Sequence, residues 1–523
     1  MQMNENENLS CALPHKSTNW ETILWRKVIQ NVTRLQRRIA KAVKQGRWAK
    51  AKALMHLVTK SFYAKLLAVL RVSTNKGGNT PGVDNFFWTS GEEKLEAARK
   101  LQSRGYRSKP LRRVYILKKN GKKRPLSIPV MDDRAMQTLH KIALDPLAES
   151  LADKNSYGFR PRRSCNDAVA ACFQLLCRKI SPQWIIEADI KACFDNIGHD
   201  WILKNIPVNK TILNEWLKAG YIEKKRLFPT EKGTPQGFGV SSVERWNHIA
   251  DDHELGFGWF GNANQQKFPR WKNKKVNFIR YADDFVITAI SKEVITYEII
   301  PLVTEFLMER GLELSAEKSK ITNINDGFNF LSQNVRKFKG KLIIRPSKEA
   351  VQSFKDKIKK TIDENRGMPA HALIRVLNPV IRGWSNYHKG ICSKRIFNRL
   401  ATFIWWQLRR WAKYQHGNKN RWWIANRYFK DNHFTDQRIT KNSTENHRLY
   451  RIGYVPIRYH VKVKAEDNPF LPEFDQYFCN RIKRRQDLAK ECKQITMFMS
   501  NKNSKNSRVT LRQSRWIIGI KSA

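Results

Sequence analysis

Long apolar runs are missing. No window approaches 18 consecutive apolar residues, so no stretch is read as spanning a bilayer. Met1 to Ser10 are polar and acidic and lack the apolar centre of a secretory signal. Cysteine pairing is missing too. The eight cysteines are scattered and none forms a CxxC pair, which argues against a zinc ribbon or a disulfide framework and for a reducing compartment inside the cell. Above all, acids are scarce: 46 Asp and Glu stand against 98 Lys and Arg, a formal charge of +52. A charge that large repels itself unless a polyanion neutralises it, which points to nucleic acid. A packaging protein with no chemistry would share the charge. A membrane-surface protein would need an amphipathic anchor, and none is visible.

What is present is a globular chain. Hydrophobic content of 41% supports folding rather than disorder, and 523 residues are too many for one core, so two to four domains are expected. From Trp20 to about Val72 apolar residues recur at helical spacing between arginines and lysines, reading as a basic helical start. The Gly/Pro-rich segment from Asn75 to Asp84 breaks that pattern. Ala97 to Met131 holds twelve Lys or Arg and no acid, and inside it Arg113 to Pro129 reads as a hairpin turning at Asn120-Gly121. Such a hairpin can lay cations along phosphates; a solvated edge that uses Lys against aggregation is the plainer alternative. A helix from Asp133 leads to Ser156-Tyr157-Gly158-Phe159-Arg160-Pro161, where Arg160, Arg162 and Arg163 can fork onto phosphates.

The chemistry gathers on three acids. Trp184 to Asp189 reads as a buried strand ending in a carboxylate. Nearly a hundred residues later, Asn277 to Thr288 reads as a hairpin with Asp283 and Asp284 at its tip. Two acids there are unfavourable unless something cationic meets them, and a hard divalent ion such as Mg²⁺ would. Taken alone, the pair is more often a solvated acidic turn. Between the acids lies Gly233-Thr234-Pro235-Gln236-Gly237, a loop opening a helix, and beyond them Lys318 follows another helix. Asn365 to Lys430 again holds no acid, with fourteen Lys or Arg and six tryptophans, reading as a helical bundle that can stack bases even if most rings are core. The tail from Cys492 is basic and reads as a loosely ordered nucleic-acid-binding arm.

This ordered set resembles the palm and fingers of a reverse transcriptase, and more narrowly a group II intron-encoded reverse transcriptase and maturase. The resemblance covers roughly residues 20 to 480 and rests on Thr80-Pro81-Gly82-Val83-Asp84, the Ser156 to Pro161 loop, Asp189 to Asp195, Tyr281-Ala282-Asp283-Asp284 and Asn378 to Tyr387. It implies an α+β right-hand fold: an N-terminal helical extension over 1–72, fingers and palm over 73–345, a helical thumb and maturase (X) domain over 346–430, and a basic, partly disordered C-terminal region over 431–523. Asp189, Asp283 and Asp284 would hold two Mg²⁺ ions for RNA-directed DNA synthesis from dNTPs. Lys118, Lys123, Arg124 and Lys318 would meet the triphosphate, Phe194 would block a 2′-hydroxyl, and Gln236 and Gly237 would line the new base pair. Tyr281 and Arg160 would sit at primer and template, and Arg382, Trp384, Tyr387, Arg409 and Arg410 would bind RNA.

The implied partners are group II intron RNA and target DNA, with no membrane, in a monomer or dimer. The implied location is an intracellular ribonucleoprotein, in an organelle (chloroplast before mitochondrion) or a bacterial cytoplasm. The chain departs from the family pattern at Phe238 and Ser241-Ser242, after the Gln236-Gly237 loop, and at Ser127 and Ser332, where glycines are expected. These departures keep open an RNA-binding splicing maturase with a degenerate polymerase site. Many relatives end in a Cys/His-rich HNH endonuclease. Here no His and only Cys479 and Cys492 follow the Asn468 to Pro472 segment that precedes it, so no such nuclease is expected.

Overall fold

The computed structural model describes residues 19–117, 121, 123–234, 273–429, 434–435, 448–484 and 486–487. These fall into two compact units: one within Met1–Ala171, Ile180–Thr322 and Val463–Asp475, the other within Cys172–Lys179, Asn323–Lys462 and Gln476–Ala523. Among the described residues no single helix is long and apolar enough to cross a membrane.

The first unit opens with three helices, α1 (Trp25–Lys44), α2 (Trp48–Lys60) and α3 (Phe62–Thr74). Val28, Val32, Ile39 and Val43 fall on one side of α1 and are buried, while Arg34, Arg38 and Lys41 stay on the other. α4 (Gly91–Lys100) begins with a complete capping box between Ser90 and Glu93. β1 (Leu111–Leu117) and β2 (Lys123–Ile128) form the expected basic hairpin, with Leu117 opposite Lys123 and Gly121 at φ +76°. α5 (Met131–Leu151) is buried along most of its length and carries the unit's core, against which α1, α2 and α3 pack. α6 (Cys165–Leu176) follows.

Next come β3 (Trp184–Asp189), the short helices α7 (Cys193–Asn196), α8 (His199–Asn205) and α9 (Lys210–Lys218), and a small hairpin of β4 (Tyr221–Glu223) and β5 (Arg226–Phe228). β6 (Asn277–Tyr281) and β7 (Asp284–Ala289) form the central hairpin, and β8 (Lys320–Asn323) completes a four-stranded sheet in the order β6-β7-β3-β8. Phe278, Ile279, Phe285, Val286 and Ile287 are all buried, so hydrophobic burial sets the hairpin register.

The second unit begins with an antiparallel sheet of β9 (Phe328–Phe330), β10 (Gln333–Phe338) and β11 (Lys341–Pro346). Leu331 and Ser332, between β9 and β10, have φ of 50° and 61°, a conformation that the glycine of the family pattern at position 332 would adopt without strain. Helices Lys348–Glu364, Ala370–His388, Lys394–Gln415 and Arg421–Tyr428 follow and share one core around Phe397, Leu400, Leu408 and Trp411.

The region expected as one basic C-terminal part over 431–523 is divided between the two units. Residues 463–475 carry four acids against one lysine and belong to the first unit. There Arg163 donates to the carbonyls of Lys464, Ala465 and Asp467, the Val463 amide donates to Asp167, and Arg37 pairs with Asp475 at 2.5 Å. The tail beyond residue 487 lies outside the described residues.

Candidate active site

The site is built where β3 and β7 end together. The two strands pair antiparallel with Asp189 directly opposite Asp284, and β6 pairs with β7 with Tyr281 opposite Asp284. Facing residues of an antiparallel pair lie about 4.5–5.5 Å apart at Cα. Ala282 and Asp283 form the two-residue turn, with Ala282 at φ +60°, a left-handed conformation that alanine adopts only under tertiary constraint. Three carboxylates from two distant segments thus meet at one end of the sheet.

The constraint on that turn comes from the Ser156 to Pro161 loop. The Tyr157 amide donates to the Arg280 carbonyl at 2.9 Å, and the Arg280 amide to the Asn155 carbonyl at 3.1 Å. Gly158 lies so close beneath the turn that a Cβ on it would stand 2.2 Å from the Ala282 nitrogen. Glycine is needed there for close approach of two backbones, not for a turn of its own. Arg160 anchors the loop from inside. Its side chain is 8% exposed, and it donates twice to Glu149 at 2.9 Å and also to the Asp153 and Ser156 carbonyls. Arg163 joins the same carboxylate, with side chains of both partners 1% exposed. The phosphate fork expected of Arg160 and Arg163 is therefore corrected: burying a guanidinium requires pairing it, and Glu149 does so inside the protein.

A second loop fixes the far side. The Ser315 amide donates to the Asp189 carbonyl at 2.9 Å, and the Lys191 amide to the Glu313 carbonyl at 2.9 Å. This brings the exposed Lys318 to Asp189, whose carboxylate accepts from its ammonium. Phe194 is half-buried on α7, which starts after Ala192 at φ +45°, and its carbonyl accepts the Thr234 amide at 2.5 Å. Gly233 packs on Asp195, where a Cβ would stand 2.4 Å from its carbonyl carbon. The loops of Gly158 and Gly233, expected as ligand contacts, each also shape the backbone beside an acid. The near-contact glycines within Tyr-Gly-Phe and Lys-Gly-Thr were the available signal.

Electrostatics follow from this convergence. The Asp284 carboxyl is pushed up to about 6, first by desolvation and then by the Asp283 and Asp189 charges, with Lys318 opposing. Asp283 is raised as well, mainly by desolvation, with Asp189 adding and Arg124 and Lys318 opposing. Arg124, exposed on β2, therefore acts electrostatically on the acids, and Lys123 is its exposed neighbour. Lys118, Gln236, Gly237, Phe238 and Ser241-Ser242 lie outside the described residues.

The donor set is that of a hard divalent ion, three carboxylates and no soft ligand. Among the described residues no three acidic, His or Cys side chains are yet gathered into a finished ligand shell. Asp189 is turned onto Lys318, so a cation already stands among the acids. The backbone register fits the metal; one side chain must exchange its partner.

The proposed RNA-contact residues divide. Trp384 stacks on Phe354 at 4.7 Å and touches Phe397, and Tyr387 donates to the Leu331 carbonyl at 2.9 Å. Both are packing residues, which corrects their reading as base-stacking groups. Arg382 is exposed over the Tyr450 ring, Arg410 is exposed, and Arg409 lies over Trp405 and Trp406. Among the described tryptophans, Trp406 and Trp422 are the most exposed, at 54% and 79%.

Three family models match the chain in order. They are the N-terminal domain of reverse transcriptase over residues 20–101, reverse transcriptase (RNA-dependent DNA polymerase) over 116–335, and the group II intron maturase-specific domain over 351–429. The chain is similar to protein YkfC of Escherichia coli, 32% identical over 340 residues that cover 58% of this chain and 88% of YkfC. It is similar to the group II intron-encoded protein LtrA of Lactococcus lactis, 27% identical over 65% of this chain and 70% of LtrA. It is also similar to maturase-like protein 1 of Euglena gracilis, 24% identical over 71% of this chain and 77% of that protein. With the three carboxylates at one end of the sheet and these domains in this order, the chain belongs to the group II intron-encoded family of reverse transcriptases and maturases.

Proposed function

We propose that this chain works as a maturase on group II intron RNA and copies RNA into DNA at the Asp189, Asp283 and Asp284 site. The observation that carries the reading is the register of β3 on β7, which sets Asp189 opposite Asp284. Two divalent ions, Mg²⁺ by the chemistry of the donors, would lower the pKa of the primer hydroxyl and neutralise the departing pyrophosphate. The protein's own part is positioning. Asp189, Asp283 and Asp284 offer the hard oxygens; Lys123, Arg124 and Lys318 offer cations to the triphosphate. Lys318 would move from Asp189 to a phosphate as the acids take up the ions. Tyr281 lies beside the carboxylates, at the primer end, and Phe194 stands against the sugar.

Polymerisation is proposed to be slower than the family's norm. Ser127 is fully buried with its hydroxyl unpartnered, where a glycine is expected, and Phe238 replaces a second glycine. The maturase function rests on the basic surfaces instead and does not need the metal site. Target DNA is a further proposed substrate, and an organelle, the chloroplast before the mitochondrion, is the proposed location on the Lys- and Asn-rich composition.

Primer extension on an RNA template tests the polymerase, with Asp283→Ala/Asp284→Ala as the control. Wild type should extend and the double variant should not, while both promote intron splicing. Absence of product from wild type would leave RNA binding alone. Loss of splicing by the folded double variant would join the two functions that are separated here.

A further inference from the structure

We infer that the first unit holds a second ligand site, separate from the aspartates, that takes a phosphorylated molecule of nucleotide size. The site is a cavity of about 530 Å³ walled by α2, α5 and the stretch from Lys204 to Lys210, with Ser103 at its margin. None of its lining residues belongs to the strands of the acidic site or to the β1–β2 hairpin. Its volume falls within the range of small-molecule sites, about 300–1,000 Å³.

The lining divides into two kinds. Met55, Leu144, Ile206 and Val208 are buried and give the cavity an apolar floor. Lys52, His56, Lys204 and Lys210 line it as well, and no Asp or Glu does. Lys52 acts on Lys210, and no acid lines the cavity beside them. Lys210 is depressed by desolvation and by the charge of Lys52, and His140 is pushed down to about 4 by desolvation, with His56 adding. Lys210 is held in place by the Leu203 and Ile206 carbonyls, which neutralise none of its charge. Cations gathered around a cavity without acids are stabilised by an anion.

His140 supplies an independent sign. It lines the cavity, is 5% exposed, and packs edge-on against Trp216 with ring centres 5.3 Å apart. Trp216 is itself held by donating to the Tyr106 hydroxyl at 2.8 Å. The imidazole is thereby fixed, yet its Nε2 has no hydrogen-bond partner. Leaving such a buried group unsatisfied costs about 1–3 kcal/mol. A polar atom of a bound ligand, donor or acceptor according to the tautomer, would satisfy it. An apolar floor beside a cationic rim fits a flat or apolar body bearing phosphates better than it fits free phosphate, which would leave the floor uncovered.

Equilibrium dialysis of the full chain in EDTA, which keeps metal from the aspartates, tests this with ADP, pyrophosphate and adenosine. One saturable equivalent of ADP is expected, bound about tenfold or more tightly than either fragment. Lys52→Ala/Lys204→Ala should weaken ADP about tenfold, and Arg34→Ala/Arg38→Ala on α1 should leave it within about twofold. Unsaturable binding, equal loss in both double variants, or pyrophosphate binding as tightly as ADP would reduce the observation to general surface charge and overturn the site. Photolabelling of the wild type with 2-azido-ADP needs no variant. Label in the peptides of Met55, Leu144 or Val208 supports the site, and label confined to other peptides overturns it.

Discussion

At the residue scale, Asp283 and Asp284 are arranged against the stability of the metal-free fold. The Asp284 carboxyl is pushed up to about 6, above the ordinary carboxylate range, so the folded protein holds that proton more tightly than the unfolded chain does. Its contribution to stability is complete below pH ~4, where both states are protonated, and is lost as pH rises through about 6. In EDTA at pH 7.5, Asp284→Asn should therefore raise the melting temperature. The gain should be roughly 1–3 °C, small because solvent screens a residue at the open lip. The gain should vanish as pH falls to ~4 and shrink on adding Mg²⁺. Calorimetric scans across that pH range check it; a lower melting temperature for the variant at pH 7.5 would mean that the acids are already satisfied within the protein. That these acids stand at strand ends was readable from sequence, since an apolar strand run adjoins each of them, although the pair alone reads as a solvated turn. That Arg160 and Trp384 face inwards was not. Each has a chemistry suited to RNA, and only the partners Glu149 and Phe354 show that the fold uses it internally.

At the element scale, one strand pairing and one loop contact make the site. The hairpin of β6 and β7 was legible because an apolar run, now buried, stands on each side of the acids that mark the turn. The β1–β2 hairpin was legible from its turn residues. The partner of β7 was not legible, because β3 lies nearly a hundred residues away and nothing local specifies it. Nor was the seat of the turn. Gly158 backs directly onto Ala282, and a methyl at 2.2 Å from its nitrogen must push the turn aside. Gly158→Ala should cut primer extension by roughly 10²-fold, because displacements near 1 Å at a reacting centre have effects of that size. Intron RNA binding should be unchanged, since no basic surface is disturbed. Steady-state extension and a filter-binding assay on one preparation separate the two. Equal loss of both would point to general unfolding rather than a displaced turn.

At the scale of the whole molecule, charge dominates. A chain of +52 has few acids to spare, and the structure uses several of them on particular cations: Glu149 on Arg160 and Arg163, Asp475 on Arg37, Glu473 on Lys44. The remaining basic surface accounts for the affinity for intron RNA. Binding should weaken steeply with salt, with a log–log slope of magnitude about 3 or more, because each phosphate contact releases counterions. A nearly flat dependence would shift the interaction to stacking on rings such as Trp406 and Trp422. The global reading of a polyanion partner came directly from composition. The acidic stretch at 463–475 escaped it, because an average over a basic C-terminal region hides four acids that fold back onto the first unit.

The most direct measurement of the central arrangement is a Mn²⁺ titration followed by electron paramagnetic resonance, with dNTP and a primer–template present. Two ions should bind to the wild type, and Asp189→Asn and Asp284→Asn should each lose tight binding of at least one, although the two residues are ninety-five apart in sequence. Unchanged binding in Asp189→Asn would contradict a site shared by β3 and β7.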